Sequence, residues 1–211
     1  MSGEERRAAE FWIRRTPEAF RSRLPELKVA VAHSLIPAGK AVFIDERPVP
    51  GGASDKTGAG DKTHAVSFLR ERYIVLGAAL FRQRVELGRI LYHELCHFVW
   101  PRLGNPKRRK FQELLEREFR DRVAGELGYS SEIRKARLSG KKNNRVSRPE
   151  RRRLRLDYIC ESFCDTGAFV LLGSERRNRH SEFTLRRAAL ERRSRAWSQA
   201  VLEGPAETSS R

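Results

Sequence analysis

His93-Glu94-Leu95-Cys96-His97 constrains this chain more than any other stretch, because it asks for a buried helix with two metal-type ligands on one turn. Positions i and i+4 share a helix face, so both imidazoles can reach one ion. Glu94 points about a quarter turn away, where it can act on a water as general base without ligating the metal. The flanking Ile90, Leu91, Tyr92, Leu95, Cys96, Phe98 and Val99 are all uncharged. A helix beneath a catalytic cleft needs that setting, whereas a solvent-facing helix would carry Lys or Arg here. The plainer alternative is a core helix with two hydrogen-bonded histidines.

Two histidines do not complete a catalytic zinc site, which takes three protein ligands and an open position. The third ligand is expected from a later, mostly apolar helix, and residues 154–172 supply one. Its acids are Asp157, Glu161 and Asp165, of which Glu161 and Asp165 are i and i+4, among Cys160, Phe163, Cys164, Phe169 and Leu172. A buried carboxylate without a partner is costly, and a metal or a histidine removes that cost. Glu161 as ligand and Asp165 as acceptor for a ligand imidazole N–H account for both; two surface acids offsetting nearby arginines are the alternative.

H-E-x-x-H followed by E-x-x-x-D resembles the gluzincins, the thermolysin-like zinc metallopeptidases. Tyr73 to Leu80, running on to Arg89-Ile90-Leu91-Tyr92-His93-Glu94, is similar to the strand and zinc helix of the ImmA/IrrE-like metallopeptidases, and Glu161 to Leu172 is similar to their second motif. Cys164 stands where that family usually has Ala, and Gly167 where it usually has Phe. The resemblance implies His93, His97 and Glu161 as zinc ligands, Glu94 as general base and Asp165 as an orienting acid. A histidine or tyrosine commonly stabilises the oxyanion in such enzymes, which makes His180, Tyr158 and Tyr92 candidates.

The net charge of +17 comes mainly from arginine and suits a nucleic-acid or acidic protein partner, although an arginine-rich proteome gives the same composition. Residues 134–155 hold eleven Lys or Arg against one acid, Glu150. This basic insert reads either as a phosphate grip or as a solvated linker, and it lacks aromatics for stacking on bases. Three cysteines, all in apolar segments, fit small buried side chains in a reducing compartment better than disulfides. The N-terminus has no apolar signal core and no apolar run reaches about 20 residues, so a cytoplasmic protein without membrane spans is expected.

Residues 4–23 read as an amphipathic helix closed by Pro25, with Phe11, Trp12 and Phe20 on its buried side. Residues 29–32 and 41–44 read as strands joined through Pro37-Ala38-Gly39, 48–63 as a loop, and 65–69 with 73–76 as a hairpin. Helices follow over 83–100, 107–127 and 154–172, with a last one from near Ser181 past Trp197. Strands first and helices after indicate α+β. The expected architecture is one zincin-like domain over 1–203, a small twisted sheet over the H-E-x-x-H helix with a helical lower lobe bearing Glu161, and a disordered tail over 204–211. An edge strand of the 63–76 hairpin is expected to hold a peptide substrate extended. The expected function is zinc-dependent peptide hydrolysis, with Glu94 passing a proton from water to the leaving amine. The rival is a non-catalytic module whose arginine-rich surface binds nucleic acid or an acidic protein.

Overall fold

A computed structural model describes residues 1–38, 41–50, 63–140, 147–173 and 183–203. The chain is α+β: seven helices and two three-stranded sheets are present among the described residues. Helix α1 (Gly3–Arg14) begins with a reciprocal cap, in which Ser2 Oγ accepts from the Glu5 amide and Glu5 accepts from the Ser2 amide. It stops at Arg15, because Pro17 disfavours helical geometry at Thr16 and opens a separate short helix, α2 (Glu18–Arg21). The single helix read over 4–23 is therefore two, although Trp12 and Phe20 are buried as expected.

Strand β1 (Lys28–Ala32) pairs in parallel with β6 (Tyr73–Gly77), which pairs antiparallel with β5 (Ala65–Phe68). The 65–76 hairpin is thus present, with Arg72 at its turn at a positive φ of 54°. The second sheet is β2 (Leu35–Ala38), β3 (Ala41–Ile44) and β4 (Arg47–Pro50), all antiparallel. Residues 29–32 and 41–44 therefore lie in different sheets, and Pro37 belongs to a strand rather than a connection. Its missing N–H is tolerated because β2 is an edge, as is β4, which carries Pro48 and Pro50. The loop expected over 48–63 starts later, since residues 47–50 are strand; 51–62 lie outside the described residues, as does the expected tail over 204–211.

Helix α3 (Arg84–Val99) carries the H-E-x-x-H motif and is buried along almost its whole length. Trp100–Arg102, with Pro101, closes it in a 3-10 turn. Helix α4 (Asn105–Arg120) ends before the expected 127, because Arg122 and Gly125 take positive φ values of 52° and 83° and turn the chain. Leu127 packs instead with Leu185 and Ala189 in a satellite cluster. The basic stretch is largely helical: its start belongs to α5 (Tyr129–Ser139) and its end to α6 (Arg148–Leu172), with 141–146 outside the described residues. Ser147 caps α6 by accepting from the Glu150 amide. Helix α7 (Arg187–Val201) begins later than expected, while Ser181 lies outside the described residues.

Helices α3 and α6 share the most extensive contact between elements, and it forms the main core with Tyr92, Leu95, Cys96, Phe98, Phe163 and Cys164. Gly167 allows this closeness: a Cβ there would lie 2.4 Å from Cys96 Sγ and 2.8 Å from the Trp197 ring of α7. Strand β5 meets α3 from another side, so α3 lies between sheet and α6. No described helix is long and apolar enough to cross a membrane.

Candidate metal centre

The periodicity of α3 puts His93 and His97 one turn apart, and their Nε2 atoms lie 3.2 Å from each other. Glu161 of α6 meets them, its Oε2 3.3 Å from His93 Nε2 and 4.0 Å from His97 Nε2. His93, His97 and Glu161 are 5–7 % exposed, so the three ligand atoms belong to buried residues. Glu161 Oε2 makes no hydrogen bond and has only its ion-pair contacts with the two imidazoles, so a cation among the three atoms would satisfy it. A second set overlaps the first: the ligand atoms of His93, His97 and Cys164 lie within 4.8 Å of one another and could also hold a metal ion. Glu161 Oε2 is the atom of the two sets that makes no hydrogen bond.

The outer faces of these ligands are held in turn. His93 Nδ1 meets Asp165 Oδ1 at 2.8 Å, which turns its Nε2 toward the cluster. Asp165 Oδ2 accepts from Ser131 Oγ at 2.7 Å, and Arg134 Nη2 lies 3.5 Å from Glu161 Oε1. Cys160 Sγ is 3.7 Å from His97 Nδ1. Gly128 makes the Asp165 position possible, because a Cβ there would stand 2.4 Å from Asp165 Oδ1. Two carboxylates thus face two imidazoles, and the pocket attracts positive charge. Burial opposes charging of His93, yet Asp165 and Glu161 outweigh it and hold its pKa well above the ordinary value. The same balance of burial against Glu161 raises His97 to about 9. Burial would raise Glu161, but His97, His93 and Arg134 hold it at about 2.

Glu94 is 7 % exposed, and its Oε2 accepts a short hydrogen bond from Ser67 Oγ on β5. Ser67, Ser131, Arg134 and Gly128 are absent from the set of site residues read from the sequence. Ser67 alone left a trace, as a hydroxyl in an otherwise apolar strand; the others come from α5, whose docking no local pattern encodes.

The tyrosine candidates for oxyanion stabilisation do not fit. Tyr158 is buried and its hydroxyl donates to Glu126 Oε1 at 2.8 Å, with burial and then Glu126 raising its pKa. Tyr92 donates to the Trp12 carbonyl at 2.9 Å, and burial raises its pKa to about 12. Both hydroxyls are committed to other partners. His180 lies outside the described residues. The hairpin edge also differs from expectation: β5 is topologically an edge, but its four residues are 5 % exposed or less, so a peptide cannot pair with it as it stands.

The chain matches no protein-family model, no curated protein and no solved structure.

Proposed function

We propose that the chain is a zinc-dependent peptide hydrolase of zincin-like architecture, with His93, His97 and Glu161 as ligands. The carrying observation is the triangle of 3.2, 3.3 and 4.0 Å among their ligand atoms, one of them an orphaned carboxylate oxygen. Zinc bonds of about 2.0–2.2 Å in a tetrahedron separate ligand atoms by roughly 3.3–3.6 Å, so the residues fit the ion. When bound, zinc supplies a Lewis acid and lowers the pKa of water. Glu94 takes the proton of the attacking water and delivers it to the leaving amine. Ser67 fixes the carboxylate of Glu94, Asp165 orients His93, and Arg134 offsets charge on Glu161. A carboxylate next in sequence to the first ligand has no use in a purely structural site, which favours catalysis over the non-catalytic module.

The test joins metal analysis of the purified chain to a peptide-library digest. Wild type should hold one zinc and cleave. Glu94→Gln should keep the zinc and lose about 10²-fold or more of the rate. A chain without stoichiometric zinc, or Glu94→Gln cleaving at the wild-type rate, overturns the proposal. The Cys164 set supports a second reading, in which the thiolate is a ligand and, joined to His93, His97 and Glu161, would close the site; it predicts a thiolate-to-metal absorption band in the cobalt-substituted protein that Cys164→Ser abolishes.

A further inference from the structure

A second cluster of chemistry lies on the same long helix, away from the metal ligands. Arg148, Arg151, Arg152 and Arg155 of α6 surround a cavity of about 240 Å³, whose apolar lining is Phe119 of α4 and Leu138 of α5. A narrow recess continues inward past Phe119 and Leu138 to Tyr158 and Ile159. The arginines follow i, i+3, i+4, i+7 spacing and so form one stripe. That stripe is turned roughly a third of a turn from Glu161 and lies about 9 to 20 Å from it along the helix axis, so the two sites share no ligand.

The charge here is uncompensated. Among the described residues Arg148, Arg151 and Arg152 have no acidic partner, and Arg155 has Glu116 at 3.9 Å. All four are exposed. Like charges gathered around a concavity repel one another, and an anion seated among them relieves that cost. The guanidinium fork matches phosphate oxygens in pairs, which a lysine cluster would not. The apolar lining narrows the ligand further. A bare anion or an acidic peptide gains nothing from Phe119 and Leu138, whereas a phosphate carrying a flat ring uses both halves of the cavity. The volume is near the lower end of small-ligand pockets, about 300 Å³, which suits one such unit. The basic stretch itself lacks an aromatic; the fold supplies one from another helix.

We propose that this cavity binds a nucleotide, either free or as the 5′-phosphorylated end of a single strand. The proposal stands apart from the reading of the metal cluster. Its test is calorimetric titration of the full chain with AMP, inorganic phosphate, oligodeoxyadenylate with and without a 5′-phosphate, and a polyglutamate peptide. AMP or the phosphorylated strand should bind more tightly than inorganic phosphate, and whichever binds tighter identifies the source. Arg151→Gln with Arg152→Gln should weaken that binding about ten-fold or more, with zinc content and the circular dichroism spectrum unchanged. Phe119→Leu should weaken AMP while leaving phosphate alone. Inorganic phosphate binding as tightly as both AMP and the phosphorylated strand, equal competition by polyglutamate, no binding of either nucleotide probe, or an unmoved arginine double variant would each overturn it.

Discussion

Ser67 and Glu94 meet across 27 positions of sequence, and their contact decides how the carboxylate is held. Ser67 is fully buried on β5, so its hydroxyl has no water to turn to and stays on Glu94 Oε2. In Ser67→Ala the carboxylate keeps its place on α3 but loses the donor that fixes its rotamer. If Glu94 is the base, kcat should fall about ten-fold while KM and zinc content hold, and the melting temperature should drop by a few degrees for the lost buried hydrogen bond. Ser67→Thr, which keeps the hydroxyl, should recover part of the rate. An unchanged kcat in Ser67→Ala would remove Ser67 from the mechanism. The same pair shows where sequence reading stops. The spacing of His93, Glu94 and His97 is a property of one helix and is legible in five residues. That Glu94 faces a serine on a strand depends on how β5 docks against α3, which local periodicity does not record.

Helices α5 and α6, which bear part of the site, are tied to α4 and α7 by a buried ionic knot. Arg193 of α7 is fully buried, its Nε 2.7 Å from Glu118 Oε2 and its Nη1 2.5 Å from Glu126 Oε2. Glu126 also accepts from Lys135 Nζ of α5 at 2.8 Å and from the Tyr158 hydroxyl of α6. Three helices thus converge on a single carboxylate in the turn after α4, and α4 joins them through the Glu118–Arg193 pair. Burial pushes the Glu126 carboxyl up, but Arg193 and then Lys135 pull it further down, to a net value below the ordinary one. A depressed folded pKa contributes stability that is present above the unfolded value of 4.5 and is lost as pH falls through the folded one. Arg193→Leu should cost about 3–5 kcal/mol near neutral pH, because it strands a buried carboxylate. The gap from wild type should shrink on acidification below the ordinary carboxylate range. Urea titrations at several pH values would show it, and a gap independent of pH would mean that packing alone is lost. None of this knot was legible: no motif or spacing in the sequence brings Glu118, Glu126 and Arg193 together. The apolar spacing of Phe111, Leu114, Leu115 and Leu127 even pointed past the true end of α4, since a period continues in sequence after the backbone has turned.

Helices α3 and α6 come from opposite halves of the chain, and the candidate metal centre is the place where their polar groups meet. His93 and His97 lie on one, Glu161 and Asp165 on the other, with the Cys96, Phe163 and Gly167 packing beside them. Both helices and their inward acids were readable, because each is set by its own period. The parallel pairing of β1 with β6 and the placement of α5 over the site were not, because they join distant segments. A zinc ion binding this junction would bind only the folded chain, and so must stabilise it. At a free concentration one hundred times Kd the gain is about 2.7 kcal/mol. For a chain of this size that corresponds to a rise in melting temperature of roughly 5–10 °C. Zinc added to chelator-treated protein should raise the midpoint and saturate at one equivalent. Glu94→Gln should retain the rise, since that carboxylate is no ligand, and Glu161→Gln should lose most of it. Cys164→Ser separates the two ligand sets: a retained rise assigns the third position to Glu161, and a lost one assigns it to the thiolate.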